Sequence, residues 1–354
     1  MLELVPRAEP SRLMSWMSPI LAVILTAICG VFMFAAVGKS PIEGLAVFFL
    51  EPISSLRGWS EVGVKLAPLL LISVGLALCF RANIFNIGAE GQLVLGAIVS
   101  GAVILAFDDG SGSGGGPALI ALALLAGAVG GAFWAAIVAW LRDRYNANEI
   151  LVSLMLVYVA ELLLSYLVHG VMRDPDGFGF PQSRLFDDGF LLPVWPGTRL
   201  HLGALLALVS AVLAWLVLSR MLAGFRLTVG GLAPLAARYA GFSSRRALWA
   251  CMLFSGALAG VAGAAEIMGP IGQLTPSVSP GYGFAAIIVA FVGRLHPLGV
   301  IFSSFVMALF YIGGELSQTR LGMPSAITGI FQGILLFALL ACDVLIYKQF
   351  RWRR

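Results

Sequence analysis

Long apolar runs separated by short polar stretches recur along the whole chain. Each run holds about 20 mostly apolar residues, the length that a helix needs to cross about 30 Å of hydrocarbon. The pattern predicts membrane-spanning helices at 20–38, 62–80, 87–106, 118–140, 148–169, 200–219, 247–268, 297–314 and 325–346. A shorter apolar run, 283–293, predicts a half helix or part of a broken one. We therefore expect an all-α integral membrane protein of about ten segments.

The composition supports the same class. Hydrophobic residues make up 60% of the 354 residues and charged residues 11%, whereas soluble globular proteins have about 45–50% and 25%. So few charges could not cover the surface of a soluble protein of this size. A soluble enzyme, a disordered chain and a disulfide-stabilised scaffold are therefore excluded.

The basic residues set the predicted orientation. With the N-terminus inside, 15 of the 22 Lys and Arg residues fall in cytoplasmic stretches and seven on the other side. Cytoplasmic loops of membrane proteins carry such an excess, so we expect both termini in the cytoplasm. The net charge of +4 then reflects membrane topology, and we expect membrane lipid but no nucleic acid as a partner.

The whole chain, 1–354, is expected to form a single transmembrane domain. Its N-terminal residues 1–19 are predicted to be cytoplasmic, 171–198 to form a long external loop, and 220–246 to form the longest cytoplasmic connection. A Gly/Ser-rich stretch at 107–117 resembles a phosphate-binding loop by eye. No Gly-Lys-Ser/Thr follows it, so it predicts a flexible external turn, and the chain has no ATP-binding motif of its own.

The stretch RANIFNIGAEGQ, residues 81–92, places polar residues between two apolar runs. Charged and amide side chains at membrane depth are costly and often face a water-filled path. Two interpretations remain open: an interrupted helix that lines a translocation path, or a plain cytoplasmic turn. On the first, the lining residues are Asn83, Asn86, Glu90 and Gln92.

Other polar residues are weaker candidates for the same path. Asn148, Glu149 and Ser153 begin the fifth span, where Asn148 is equally suited to cap the helix and Glu149 to interact with its dipole. Glu266 is either interfacial or lines the outer mouth with Gln273. The four cysteines and three histidines form no metal-binding spacing, and no nucleophile lies beside a base, so we expect no catalytic residues, no metal and no cofactor bound by this chain.

Several stretches resemble a known family. FNIGAEGQLVLGA (85–97), NEILVSLMLVYVA (148–160), and the stretches 229–269 and 281–299 are similar, in order, to membrane permeases of bacterial ABC importers. The resemblance is to the nucleoside branch of the ribose/simple-sugar permease family. It implies a multi-pass protein of the bacterial inner membrane and transport by alternating access.

The resemblance also implies residue roles. Asn86, Glu90 and Gln92 match the segment near the translocation path, and Tyr282 and Phe284 lie in the short broken-helix region on the external side. A predicted short amphipathic helix, 233–239, lies in the matched loop through which such permeases contact an ATPase. The matched residues there are Gly230, Gly231, Ala236, Ala237, Arg238, Tyr239 and Gly241.

The implied partners are a cytoplasmic ABC ATPase that uses the ATP, an external substrate-binding protein and a second permease subunit. We favour a different chain for that subunit over a homodimer. Nucleosides are the favoured substrates, and a simple sugar such as ribose or galactose is the nearest alternative. A carrier driven by protons or sodium, with Glu90, Glu161 and Glu266 as relays, is an alternative from another class, and a channel is a further one.

Overall fold

A computed structural model describes residues 2–7, 9, 11–108 and 115–352. Within them the chain forms thirteen α-helices and two short strands. The helices of the first half are α1 (Arg12–Ala36), α2 (Pro41–Leu45), α3 (Leu56–Arg81), α4 (Ala89–Phe107), α5 (Pro117–Tyr145) and α6 (Glu149–His169). The second half holds α7 (Leu202–Arg220), α8 (Leu222–Leu232), α9 (Pro234–Tyr239), α10 (Ser244–Glu266), α11 (Tyr282–Val292), α12 (Pro297–Leu321) and α13 (Ile327–Tyr347).

The predicted fold class is confirmed. Nine helices in the described part of the chain are long and apolar enough to cross a membrane, and each coincides with a predicted span. The half helix predicted at 283–293 is α11, which has only 11 residues. The first span begins earlier than predicted, at Arg12, because Ser11 caps it by accepting a hydrogen bond from the Met14 N–H.

Contacts divide the chain into two compact units. The first comprises Met1–Val62 and Val306–Arg354. In it α1 packs along α13, and the Ser18 hydroxyl donates to the Asp343 carboxylate at 2.7 Å. Strands β1 (Leu2–Pro6) and β2 (Lys348–Trp352) pair antiparallel. The two ends of the chain therefore lie next to each other.

The second unit comprises Gly63–Phe305, and its core is the group α4, α5 and α10. Small residues let these helices approach closely, as in other membrane helix pairs. A Cβ on Gly260 would lie 2.1 Å from the Gly127 carbonyl oxygen, and one on Gly263 would lie 2.0 Å from that of Leu93. These helices therefore pack through small residues with their backbones in direct contact.

Two connections differ from the sequence prediction. The connection at 220–246, predicted to be cytoplasmic, holds two helices. The first, α8, was not predicted, and the second, expected at 233–239, begins at Pro234. Proline is favoured at a first helical position, where its missing N–H costs no hydrogen bond. The predicted turn at 107–117 falls partly outside the described residues, since 109–114 are not among them.

Candidate functional site

The chain between the second and third spans, α3 and α4, is not helical over residues 82–88. We call this stretch the interrupted helix. Asn83 adopts a left-handed backbone with φ 56°, and its side chain is exposed. The backbone then runs into the protein, where Ile84 and Asn86 are buried. Unwound backbone is tolerated within a membrane protein where surrounding groups satisfy it. The segment is therefore a buried interruption, and only its tip at Asn83 has the character of a surface turn.

A closed network of side-chain amides fixes this segment. Asn86 Nδ2 donates to Gln92 Oε1, and Gln92 Nε2 donates to Asn86 Oδ1, both at 2.9 Å. Asn86 Nδ2 also donates to Ser255 Oγ on α10 at 3.0 Å, and the Gly88 N–H donates to Asn86 Oδ1 at 3.2 Å. We call Asn86, Gln92 and Ser255 the amide cluster. All three side chains are buried, so the cluster ties the unwound segment to α10.

Glu90 lies against the N-terminus of α11. Its Oε2 accepts a hydrogen bond from the Gly283 N–H, and the Ser279 hydroxyl and Gly281 N–H also interact with the carboxylate. The first N–H groups of a helix have no intrahelical partner and carry partial positive charge. A Cβ on Gly283 would lie 2.3 Å from the Glu90 backbone nitrogen, so this contact requires glycine.

The other predicted residues of α11 point in different directions. Tyr282 is fully buried, and the Lys65 ammonium lies 5.8 Å from its ring centroid, within reach of a cation–π interaction. Phe284, two residues further on, is 41% exposed. The first turn of α11 therefore places one predicted path residue in the core and the other on the surface.

Two of the three residues predicted at the start of α6 make local contacts, whereas Ser153 packs against Gly88 of the segment 82–88. Asn148 caps the helix, since its Oδ1 accepts the Ile150 N–H at 2.9 Å. Glu149 forms an ion pair with Arg142 at the end of α5. Ser153 is fully buried. These contacts account for Asn148 and Glu149 as helix-terminus residues, and a path role for them stays a prediction.

Buried polar groups lie at the end of α10 and at the start of α7. Glu266 ends α10 and is 4% exposed. His201 precedes α7 and caps it, because its Nδ1 accepts the Gly203 N–H at 3.1 Å. Burial lowers the pKa of His201 to about 4, so the ring is neutral at pH 7. Gln273, grouped with Glu266 by the sequence, donates to Gln182 at 3.4 Å.

The long loop predicted as external is anchored at several points. Its backbone N–H groups of Ser183, Phe186 and Leu192 donate to the carbonyl oxygens of Leu274, Gly272 and Met268, at 2.8–2.9 Å. Three aromatic residues of the loop remain exposed: Phe178 at 98%, Phe180 at 64% and Trp195 at 71%. The loop is therefore a structured surface with exposed apolar groups.

The connection between α7 and α10 is held in place by close packing and a capped turn. A Cβ on Gly231 would lie 2.0 Å from the Arg81 carbonyl oxygen, so the end of α8 touches the end of α3. After α9 the Phe242 N–H donates to the Ala237 carbonyl oxygen at 2.9 Å. Gly241 has φ 79°, which completes the left-handed helix cap that glycine favours.

The end of α8 and the α9 helix present apolar side chains to solvent. Leu232, Leu235 and Tyr239 are 81%, 83% and 98% exposed, and only Ala237 of α9 is buried. We call Leu232, Leu235 and Tyr239 the apolar knobs. The other matched residues around them have exposed or half-buried positions: Gly230, Ala236, Arg238 and Gly241.

The structure brings some predicted residues together and separates others. Asn86, Glu90, Gln92 and the start of α11 form one region, whereas Asn148, Glu149 and Glu266 lie at helix ends. The sequence did not point to Ser255 or Ser279, because a lone serine in a small-residue helix or a loop carries no signal of its partner.

Comparisons with known proteins cover almost the whole chain. A family described as branched-chain amino acid transport system / permease component matches residues 59–340. A glucose ABC transporter permease protein of Haloferax volcanii is 35% identical over 99% of this chain and 93% of its own length. A guanosine ABC transporter permease protein of Bacillus subtilis is 31% identical over 92% and 93%.

A nucleoside ABC transporter permease protein of Lactococcus lactis is 27% identical over 90% of this chain and 89% of its own length. No solved structure matches the chain. The similarity therefore extends through the interrupted helix, α6, the α8–α9 connection and α11, and includes relatives with different named substrates.

Proposed function

Because the chain belongs to the branched-chain amino acid transport system permease-component family and is an ABC transporter permease, we propose that it imports nucleosides. It is a multi-pass protein of the cytoplasmic membrane. Separate ATPase subunits would supply the energy, a second permease subunit would complete the path, and an external binding protein would deliver substrate. The near full-length similarity to ABC permeases is the observation that carries this proposal.

Two observations support the proposal that nucleosides are the substrates. FNIGAEGQ at 85–92 resembles the nucleoside branch, and relatives named for guanosine and for nucleosides match about nine-tenths of the chain. A simple sugar is the second candidate, favoured by the 35% identity to the glucose permease. Both candidates are neutral and rich in hydroxyl groups, so both would need polar groups along the path.

The proposed mechanism is alternating access. Substrate enters from the side of the anchored loop 171–198, whose exposed aromatic residues suit contact with a binding protein. ATP-driven closure of the ATPase subunits moves the α8–α9 connection, which packs directly on the end of α3. Since α3 continues into the interrupted segment at 82–88, this packing offers a short mechanical route from the ATPase contact to the membrane interior.

Uptake assays test the proposed function. Labelled adenosine, guanosine, uridine, ribose and glucose are supplied to cells with and without this gene, with ATP depleted or the proton gradient collapsed. We expect nucleoside uptake to be lost in the deletion strain and to depend on ATP. Loss of sugar uptake alone would replace the substrate with a sugar, and uptake driven by the ion gradient would contradict the importer.

The apolar knobs are the proposed ATPase contact. Large apolar side chains that are more than 80% exposed in a cytoplasmic connection indicate a surface that a partner covers. Replacing Tyr239 with Ser should lower co-purification of the ATPase without changing the stability of the permease. Tyr347→Ser is the matched control, because Tyr347 is 64% exposed and lies outside this connection. Equal ATPase recovery in both variants would contradict the assignment.

Arg238 tests whether the same contact couples ATP hydrolysis to transport. Arg238→Ala should leave ATP hydrolysis in the assembled complex but reduce uptake per ATP consumed, because the exposed guanidinium is proposed to transmit the movement of the ATPase. Normal uptake per ATP in this variant would exclude Arg238 from the coupling surface.

A further inference from the structure

One flank of α6 is polar, although this helix is long and apolar enough to span the membrane. Tyr158, Glu161, Ser165 and His169 follow one another at steps of three, four and four residues. Such spacing places side chains on one strip of a helix with 3.6 residues per turn. We call these four residues the polar flank. Tyr158, Glu161 and His169 are exposed and Ser165 is half-buried.

The rest of α6 has a different character. One face packs inward and carries small or apolar residues: Ser153, Val157, Ala160, Leu164 and Val168, all buried. The flank opposite the polar flank is aliphatic and consists of Val152, Leu156, Val159 and Leu163. Apart from Tyr166, which lies on the outward face, the exposed polar residues of α6 beyond Val157 lie on one side of the buried face. The two flanks therefore differ in polarity.

Glu161 lies deep in this helix. It is 12 residues beyond Glu149, the first residue of α6, which corresponds to about 18 Å of a crossing of about 30 Å. A carboxylate at that depth is costly in lipid and is found facing a bundle interior, a polar partner or a water-filled cavity. Among the residues that the structure describes, Glu161 has no ion-pair partner, and its side chain is exposed.

The position of Glu161 also connects it to the interrupted helix. A Cβ on Gly91 would lie 2.9 Å from the Val157 Cα, so α6 passes directly over the start of α4. Glu161 lies one turn further along, close enough for its carboxylate to repel that of Glu90 electrostatically. The polar flank therefore begins beside the region in which Glu90 binds the N-terminus of α11.

We propose that the polar flank lines the aqueous translocation path and that Glu161 binds substrate by accepting hydrogen bonds from vicinal hydroxyl groups. The proposal rests on the proposed function, since it requires a second subunit to close the path and a neutral hydroxyl-bearing substrate. An ionised carboxylate has two oxygens and accepts only, which suits the two hydroxyl donors of a diol. The ribose of a nucleoside and a hexose such as glucose share this chemistry, whereas lipid chains offer no donor.

Thiol labelling of the assembled transporter tests the path without depending on any substrate. Glu161→Cys and Val159→Cys are introduced separately, and each complex is treated with a charged, membrane-impermeant methanethiosulfonate reagent. The wild-type protein supplies the background, since Cys79, Cys251 and Cys342 are buried and Cys29 is half-buried. We expect Glu161→Cys to react at least about tenfold faster than Val159→Cys, because charged reagents react with thiols in water. Equal rates in two folded variants would overturn the path assignment.

Substrate analogues test the diol contact. ATP-driven uptake of guanosine and 2′,3′-dideoxyguanosine is compared with the binding protein saturated, so that its own preference does not decide the rate. We expect the wild-type complex to transport guanosine about tenfold faster, and Glu161→Ala to lose that preference, since a lost hydrogen bond to a charged group has about this effect. A preference retained by Glu161→Ala would overturn the contact.

Glu161→Gln and a comparison of sugar substrates distinguish the ways in which the proposal could fail. Glu161→Gln keeps one acceptor oxygen and should retain part of the preference, whereas a defect in folding alone would lower the uptake of both substrates equally and leave the preference unchanged. If the wild-type complex transports glucose and no nucleoside, the proposed substrate fails, and glucose is then compared with 2-deoxyglucose in the same variants. In that case, fast labelling of Glu161→Cys still supports the path assignment. If the wild-type complex transports nucleosides but Glu161→Cys is labelled slowly, the path assignment fails and the proposed substrate stands.

Discussion

The amide cluster and the polar flank of α6 place polar residues at membrane depth in opposite ways. In the cluster, Asn86, Gln92 and Ser255 are buried and satisfy one another. On the flank, Glu161 is exposed and has no ion-pair partner among the described residues. A polar group that is already satisfied stabilises a fold, whereas one left exposed needs water or a ligand. A polar residue at membrane depth therefore does not by itself identify a path. Whether its side chain is accessible must also be considered.

We expect the largest loss of stability from a change at the close contact between α10 and α4, next to the amide cluster. Gly263→Ala places a Cβ 2.0 Å from the Leu93 carbonyl oxygen between α10 and α4, and a backbone contact cannot move away cheaply. We expect a loss of about 4 kcal/mol or more in the free energy of unfolding and little monodisperse protein on size-exclusion chromatography. Gly333→Ala in α13, with open space around it, is the matched control. Equal yields of both would contradict the close packing.

Breaking the amide cluster should cost less. Asn86→Leu removes two reciprocal hydrogen bonds and leaves the buried Gln92 amide unpaired, which costs about 3 kcal/mol in the free energy of unfolding. Thermal denaturation in detergent measures the loss. Combining it with Gln92→Leu should cost less than the sum of the two single changes, because each single change strands the other amide. Additive losses would mean that the pair does not act as a unit.

A third test extends the comparison to His201, a buried polar group at the start of α7. Its pKa is lowered by burial to about 4, against about 6.5 in an unfolded chain. Below pH 6.5 the unfolded state therefore binds the proton first, and stability falls as the pH drops towards 4. Between pH 7 and 4.5 we expect a loss of about 2 kcal/mol from this residue.

The control for His201 is Asn, whose Oδ1 can replace Nδ1 as the acceptor for the Gly203 N–H without titrating. Melting temperatures of His201→Asn should decline less over the same range of pH. An identical decline in the wild-type protein and the variant would assign the acid sensitivity to other groups.

The smallest effect is expected at Glu149, which pairs with Arg142 at a partly exposed helix end. Glu149→Gln should change the free energy of unfolding by less than about 1 kcal/mol, as for other exposed ion pairs, and leave uptake near the wild-type rate. A large loss of uptake with unchanged stability would instead place Glu149 in the path, as its position in the sequence first indicated.

Hydrophobic run length predicted the spans well, because each crossing has to be long and apolar regardless of its neighbours. It missed α8, since residues 222–232 mix apolar, glycine and basic positions without a clear helical signal. The partners of Asn86 could not be predicted, because Ser255 is 169 residues away and only the packing of α10 brings it near. The exposure of Glu161 likewise depends on which face of α6 meets α4.

Guanosine uptake per folded complex distinguishes the role of the polar flank from that of the amide cluster most directly. Glu161→Gln and Asn86→Leu are reconstituted in parallel with the ATPase, the second permease and the binding protein, and guanosine uptake is divided by the amount of folded complex. We predict that Glu161→Gln keeps the wild-type melting temperature and loses part of its guanosine uptake, while Asn86→Leu melts earlier and keeps its uptake per folded complex. The reverse result, with Glu161→Gln transporting normally and Asn86→Leu stable but inactive, would contradict the account.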